Sequence, residues 1–235
     1  RLVVREAKPD FKVTLNGANP TVNAGSGQSF SVSVERLDGF DEDIKVDITD
    51  LPPGLSVSTP LVIQAGHVEA KGTINAAADA PKPTNAMTKV TATAMIDGKT
   101  VKKDVNNLGA IKLGDKPKLF VSLEPASAAN PDLTIAPGQT LPAMLKIQRN
   151  GHDDLVTFTV ENLPHGVIVD NIGLSGVLIP KGQNEREIFL TAARWVPESD
   201  RLCYAIENQA GKQTSLPVML HVRKPGHKMV TTAAK

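Results

Sequence analysis

Ile44-Lys45-Val46-Asp47-Ile48-Thr49-Asp50-Leu51-Pro52-Pro53-Gly54 decides the fold, because the chain writes it a second time as Val156-Thr157-Phe158-Thr159-Val160-Glu161-Asn162-Leu163-Pro164-His165-Gly166. In the first half of each copy every second residue is apolar, which is the pattern of a half-buried strand. The second half stops that strand. Proline cannot donate to a ladder, and glycine permits the positive φ that lets the chain turn toward an opposite sheet. The stretch therefore reads as a strand followed by a crossing corner, with a Pro-Gly recognition edge as the other use of such a loop.

Outward from these corners the two halves of the chain match residue by residue. Gln28-Ser29-Phe30 answers Gln139-Thr140-Leu141, and Arg36 falls opposite Arg149. Ile63-Gln64-Ala65-Gly66 answers Ile179-Pro180-Lys181-Gly182, Ile74-Asn75-Ala76-Ala77 answers Leu190-Thr191-Ala192-Ala193, and Gly98-Lys99 answers Gly211-Lys212. Lys8-Pro9, Lys116-Pro117 and Lys224-Pro225 recur at equal intervals of 108 residues. That period is the length of a β-sandwich domain. Leu2-Val3-Val4-Arg5 resembles Leu220-His221-Val222-Arg223, the closing strand of the second repeat.

The expected organisation is thus a final strand of a preceding repeat or a linker over 1–8, repeat one over 9–115, repeat two over 116–225 and a tail over 226–235. The predicted class is all-β, with two tandem immunoglobulin-like antiparallel β-sandwiches. Few residues separate Leu113 from Lys118, so the repeats are expected to sit end to end across a short, stiff junction.

Composition agrees. Each half, at roughly 100 residues, can bury about two-thirds of its surface without staples. Seventeen Pro and 18 Gly punctuate short Val/Ile/Thr-rich runs, which favours strands and turns over long helices. Further alternating runs are Phe30, Val32, Val34; Val90, Ala92, Ala94, Ile96, with an Asp97-Gly98 hairpin leading to Val101, Lys103, Val105; Leu141, Ala143, Leu145, Ile147; and Leu216, Val218, Leu220, Val222. The formal charge of +1 arises from 26 interspersed basic and 25 acidic residues, so no strong field draws the chain to nucleic acid or anionic lipid. No apolar run approaches the ~20 residues of a membrane span. The 3% aromatic content is low for a carbohydrate-binding platform. Cys203 is the only cysteine, which excludes an intrachain disulfide and points to bacterial or intracellular relatives. The chain opens at Arg1 with no visible leader.

Candidate chemistry is sparse. Gly173-Leu174-Ser175-Gly176 lacks the final glycine spacing and the strand-to-helix context of a nucleophile elbow. His67, His152, His165, His221 and His227 stand singly, as surface or turn residues rather than ligands. Cys203, between Leu202 and Tyr204 in a strand, reads as a buried, inert thiol. The acidic run Asp38, Asp41, Glu42, Asp43 reads as a solvated turn, or as a calcium site at Asp38, Asp41 and Asp43, since calcium takes several carboxylate and carbonyl oxygens. Its counterpart, Asn150-Gly151-His152-Asp153-Asp154, keeps only part of that charge. Asp200-x-x-x-Tyr204 has the spacing of a tyrosine corner. Trp195, before Pro197, is either a hydrophobic plug or an exposed aromatic contact.

Val34-Glu35-Arg36-Leu37-Asp38-Gly39-Phe40, Leu51-Pro52-Pro53-Gly54-Leu55, Ile63-Gln64-Ala65-Gly66 and Ala76-Ala77-Ala78-Asp79-Ala80 together resemble bacterial immunoglobulin-like repeats of large exported, planctomycete-type proteins, of the kind found beside pre-peptidase C-terminal domains. The resemblance spans nearly the whole chain and implies an exported, multi-domain, non-catalytic module. The second repeat departs from it at His165 and at Arg194-Trp195-Val196. The function expected from all this is a structural spacer or protein-interaction module of a larger cell-surface, extracellular or periplasmic protein, with no enzymatic activity and no cofactor other than calcium as a candidate. Its partners would be neighbouring domains of the same protein, other envelope proteins or a glycan. The alternatives are accessory domains of a secreted peptidase or hydrolase, and a carbohydrate-binding module.

Overall fold

The computed structural model describes residues 5–83, 87–127, 131–170 and 176–225. The first repeat contributes strands β1 (Asp10–Asn16), β2 (Thr21–Asn23), β3 (Gly27–Leu37), β4 (Ile44–Thr49), β5 (Leu55–Val57), β6 (Leu61–Ile63), β7 (Glu69–Ala76), β8 (Lys89–Ile96), β9 (Lys99–Val105) and β10 (Lys112–Gly114). The second contributes β11 (Leu119–Pro125), β12 (Leu133–Ile135), β13 (Thr140–Arg149), β14 (Val156–Glu161), β15 (Val167–Asp170), β16 (Val177–Ile179), β17 (Glu185–Ala192), β18 (Ser199–Glu207), β19 (Gln213–Thr214) and β20 (Val218–Val222).

In the first repeat one antiparallel sheet runs β1-β3-β7-β5 and faces a second, β6-β4-β8-β9. In the second repeat the corresponding sheets run β11-β13-β17-β15 and β16-β14-β18-β20. The first strand of each sandwich passes from one sheet to the other, so that β2 lies parallel to β10 and β12 parallel to β20. Both repeats are immunoglobulin-like sandwiches by this strand order.

The stretch Ile44 to Gly54 and its copy Val156 to Gly166 both make the crossing that their Pro-Gly corners imply. β4 pairs with β8 in one sheet, and β5, just beyond Pro52-Pro53-Gly54, pairs with β7 in the other. β14 and β15 straddle Pro164-His165-Gly166 in the same way. Gly54 and Gly166 have φ of 78° and 85°, and the turns are closed by Leu55 N–H donating to Pro52 O and Val167 N–H to Pro164 O. Arg36 and Arg149, opposite each other in the repeat alignment, have one shared task. Arg36 donates to the carbonyls of Glu42, Gln64 and His67, and Arg149 to those of His152, Asp154, Pro180 and Gln183. Each guanidinium ties the loop after its own strand to the loop before β7 or β17.

Alternation then builds two separate cores. Phe11, Phe30, Val32, Ile44, Val46, Leu61 and Ile74 fill the first, and Leu119, Leu145, Val156, Phe158, Ile179 and Leu190 the second. Apolar burial at ~25 cal/mol per Å² is the main stabilising contribution to each. Leu216 departs from its expected strand pattern: it precedes β20 and is exposed.

The end-to-end arrangement expected from the short junction is not what forms. β19, in the connection from β18 to β20, pairs with β3 of the first repeat, so the repeats lie side by side and a ladder runs across their boundary. The junction is short, but the hydrogen-bonding edge that β19 offers to β3 outweighs any preference of the linker for extension.

Candidate functional site at the seam between the repeats

The seam begins with a buried carboxylate. Glu207, at the end of β18, is wholly buried and accepts hydrogen bonds from the backbone N–H groups of Gln209, Ala210 and Gln213, at 2.7, 2.7 and 2.8 Å. Three charge-assisted bonds of this kind offset the cost of burying the charge and fix the connection in one shape. The fixed loop then presents Gln213 opposite Gln28 and Thr214 opposite Gly27. Gln213 Oε1 accepts from Ser26 Oγ at 2.8 Å, Asn75 Nδ2 donates to Ser215 O at 3.1 Å, and the Thr73 and Thr214 hydroxyls hydrogen-bond to each other. Gly27 is glycine because the approach is close: a Cβ there would lie 2.2 Å from both Asn75 Nδ2 and Thr214 Oγ1.

β18 carries the seam's apolar surface. Cys203 and Ala205 point into the second core, while Tyr204 and Ile206, on the opposite face, are also buried and belong to neither core. They line a cavity of about 460 Å³ with Ser29, Ser31 and Lys71 of the first repeat. Lys71 Nζ reaches Glu161 at 2.9 Å across the boundary. The signal for this second buried face is Leu202-Cys203-Tyr204-Ala205-Ile206, an unbroken apolar run where β8 has Val90-Thr91-Ala92-Thr93-Ala94. Strands covered on both faces lose their alternation.

The tyrosine corner proposed for Asp200 and Tyr204 is absent. The Tyr204 hydroxyl is buried and has no hydrogen-bond partner among the described residues, because the ring faces the first repeat rather than its own backbone. Burial, reinforced by Glu161 and Glu69, raises its pKa. Asp200 instead lies 2.6 Å from His221 Nδ1 and pairs with Arg223, and His221 Nε2 lies 3.4 Å from Asp132. Burial works against the Asp200 charge, but the hydrogen bonds from His221 and Arg223 outweigh it, and its pKa is lowered.

On the other flank of the seam two histidines that stand singly in the sequence meet. The His67 and His165 ring centroids are 4.7 Å apart at 67°, and Trp195 packs on His165 at 5.1 Å. The backbone N–H of His165 donates to Gln64 Oε1 at 3.0 Å. Trp195 is 60% exposed. It is therefore the exposed contact and not the plug: its neighbour Val196 fills the core, and the indole lies over Gly166, where a Cβ would sit 2.5 Å from the ring. Arg201, only 8% exposed, completes this flank, its Nη2 donating to Asn162 Oδ1 at 2.7 Å. Burial lowers the Arg201 pKa, with Asp43 acting in the opposite sense.

The acidic run serves the loops around Arg36. Asp41 and Asp43 accept from the backbone N–H groups of Gly66 and Ala65, each at 2.7 Å, while Asp38 pairs with Arg5 and accepts from Lys8 N–H. The Arg5 hydrogen bond, then that from Lys8, lowers the Asp38 pKa. The three carboxylates proposed for calcium thus have separate protein donors, and no group of three or more His, Cys, Asp or Glu able to hold a metal ion occurs among the described residues. His152 lies in the corresponding loop of the second repeat. Cys203 is buried, and burial pushes its thiol up to about 12, as an inert core group. Gly173, Leu174, Ser175 and His227 lie outside the described residues. No helix among the described residues is long and apolar enough to cross a membrane.

No protein-family model matches the chain, and no curated protein sequence matches it. Among solved structures it is similar to the D0-D1 domain of intimin, at 14% identity over 89% of this chain and 97% of that one, with a TM-score of 0.31. It is similar to domains 5-6 of the S-layer protein SbsC, at 16% identity over 93% and 100%, with a TM-score of 0.30. It is also similar to a titin fragment, A168169, at 11% identity over 92% of this chain and 99% of that one, with a TM-score of 0.26. The fold assignment rests on strand order and register, and likenesses at these TM-scores add nothing to it.

Proposed function

We propose that this chain is a non-catalytic structural spacer and protein-interaction module of a larger exported bacterial protein, acting at the cell surface or elsewhere in the envelope. The narrower kinship, with planctomycete-type repeats beside pre-peptidase C-terminal domains, is part of the same proposal and rests on the sequence motifs. The observation that carries the reading is the pairing of β19 with β3. It couples two sandwiches with separate cores into one unit, which is what a spacer needs if it is to hold its neighbours at a defined separation. A string of independently tumbling repeats would transmit no such geometry. Single-molecule pulling from the two ends tests this. A rigid spacer gives an early seam rupture followed by two core ruptures. Repeats that separate at negligible force would remove the spacer reading.

A further inference from the structure

Arg201 has an unusual position for a guanidinium. It is 8% exposed, and among the described residues its buried Nε–H has no acceptor and no carboxylate lies within ion-pair distance of it. Its hydrogen bond among the described residues goes to the neutral amide oxygen of Asn162. A buried charge left without an opposite charge is costly, and a planar fork of donors is matched by carboxylate and tetrahedral oxyanions. Arg201 also lines a cavity of about 480 Å³ with His67, Glu69 and Lys71 of the first repeat and Asn162 and His165 of its own.

We propose that this seam cavity binds a single oxyanion, a carboxylate or a tetrahedral phosphate- or sulfate-type group, on the Arg201 guanidinium, with His67 and His165 strengthening the binding when protonated. Both imidazoles open on the same cavity, one from each repeat, and imidazole is the side chain that ordinarily gains charge between pH 8 and pH 5. The surrounding charges set the direction. Lys71 is engaged by Glu161, Asp43 is engaged by the Ala65 N–H, and Arg36 contacts the His67 carbonyl while pairing with Asp41. Glu69 is the carboxylate in the cavity that opposes an incoming anion. An anion held here contacts both repeats, so binding also tightens the seam. This inference stands apart from the spacer reading.

Isothermal titration with sodium sulfate and, separately, sodium acetate, at constant ionic strength in chloride, tests it on the whole chain at pH 6 and pH 8. Neither anion changes its own charge between these values. Saturable binding of sulfate assigns a tetrahedral group, of acetate a carboxylate, and of both a general oxyanion site; tighter binding at pH 6 is expected in each case. Arg201→Gln should weaken binding by about 10- to 100-fold, the effect of losing a charged hydrogen-bond donor. Glu69→Gln should tighten it, and His67→Gln with His165→Gln should remove the difference between pH 6 and pH 8. The last three replacements are at less buried positions, so they decide the matter even if Arg201→Gln fails to fold. No saturable binding of either anion, or equal affinity in Arg201→Gln, or unchanged affinity in Glu69→Gln, overturns the proposal.

Discussion

The two sandwiches make the same connection in different ways. In the first repeat β8 turns into β9 through Asp97-Gly98, both at positive φ, a two-residue hairpin whose twist suits the strands it joins. In the second, β18 reaches β20 through ten residues, Asn208 to Pro217, shaped by the buried Glu207 carboxylate and containing β19. The short turn leaves β9 as an edge guarded by Lys99, Lys102 and Lys103, charges of the kind that discourage further pairing. The long one offers a paired edge to a neighbour. Sandwiches of the same strand order can thus be isolated or joined by one loop, whose shape here depends on the Glu207 carboxylate.

The largest expected effect breaks one core at a time. Val46→Asp or Phe158→Asp places an uncompensated carboxylate among apolar neighbours, at a cost of about 4 kcal/mol or more. Val46 and Phe158 are 0% and 4% exposed. Val46→Asp should unfold the first repeat and leave the second folded but destabilised by loss of β3. Calorimetry resolves the two transitions. Simultaneous loss of both repeats from either substitution would mean that the seam has merged them into one cooperative unit.

A smaller effect should follow from Glu207→Ala, which leaves three loop N–H groups without their acceptor, at about 2–4 kcal/mol. Gly27→Val attacks the other side, where the added side chain meets Asn75 and Thr214. Both variants should keep two folded sandwiches, lose hydrogen-exchange protection at the amide of residue 27, which faces β19, and scatter X-rays as longer particles. Unchanged protection and an unchanged scattering profile in both would show that β19 does not hold the repeats together.

The sandwiches were legible in the sequence because their signals are local: alternation in β3 and β4, the Pro-Gly corners, the Asp97-Gly98 turn. The seam was not, since it joins residues such as Ser26 and Gln213, 187 positions apart, whose side chains are ordinary polar groups until they meet. The same is true of His67 and His165, which occupy non-equivalent positions in the two repeats. Only the unbroken run in β18 pointed to a second covered face. Its tyrosine matched the corner spacing by coincidence, because spacing along a strand does not say which way the ring turns.

Acid should distinguish the repeats less strongly. Hydrogen bonds from Lys103, Arg5 and Lys146 lower the pKa values of Asp10, Asp38 and Glu124 from their ordinary values of 3.8, 3.8 and 4.5, and Asp200 is lowered as described above. A carboxylate whose folded pKa is lowered binds fewer protons in the native state than in the unfolded one. Its contribution is therefore complete above the ordinary value and lost as pH falls through the folded value. Stability should be level above about pH 5 and decline below about pH 4. The decline should be steeper in the second repeat, since Asp200 has two partners, His221 and Arg223, whose side chains are only 18% and 22% exposed, whereas Arg5, the partner of Asp38, is 61% exposed and its ion pair is screened by solvent. Melting each repeat across this range checks the order, and Asp200→Asn should flatten the second repeat's decline. Equal acid sensitivity of the two repeats, unaffected by Asp200→Asn, would contradict the assignment.

The smallest effect has the most diagnostic sign. Tyr204 is fully buried at the seam with no partner for its hydroxyl among the described residues, whereas a tyrosine corner would use that hydroxyl to hold the loop before β18. Removing a bonded hydroxyl destabilises a protein, but removing a buried, unsatisfied one relieves a desolvation cost of about 1 kcal/mol or more. Tyr204→Phe keeps the ring against Ile206 and the first repeat and deletes only the oxygen. The substitution should therefore be neutral or raise the second repeat's melting temperature by about 4–8 °C per kcal/mol gained, the usual scale for a folding unit of roughly 100 residues. A fall of similar size would mean that the hydroxyl is bonded in solution and that the ring does not face the seam cavity it lines with Ser29, Ser31 and Lys71.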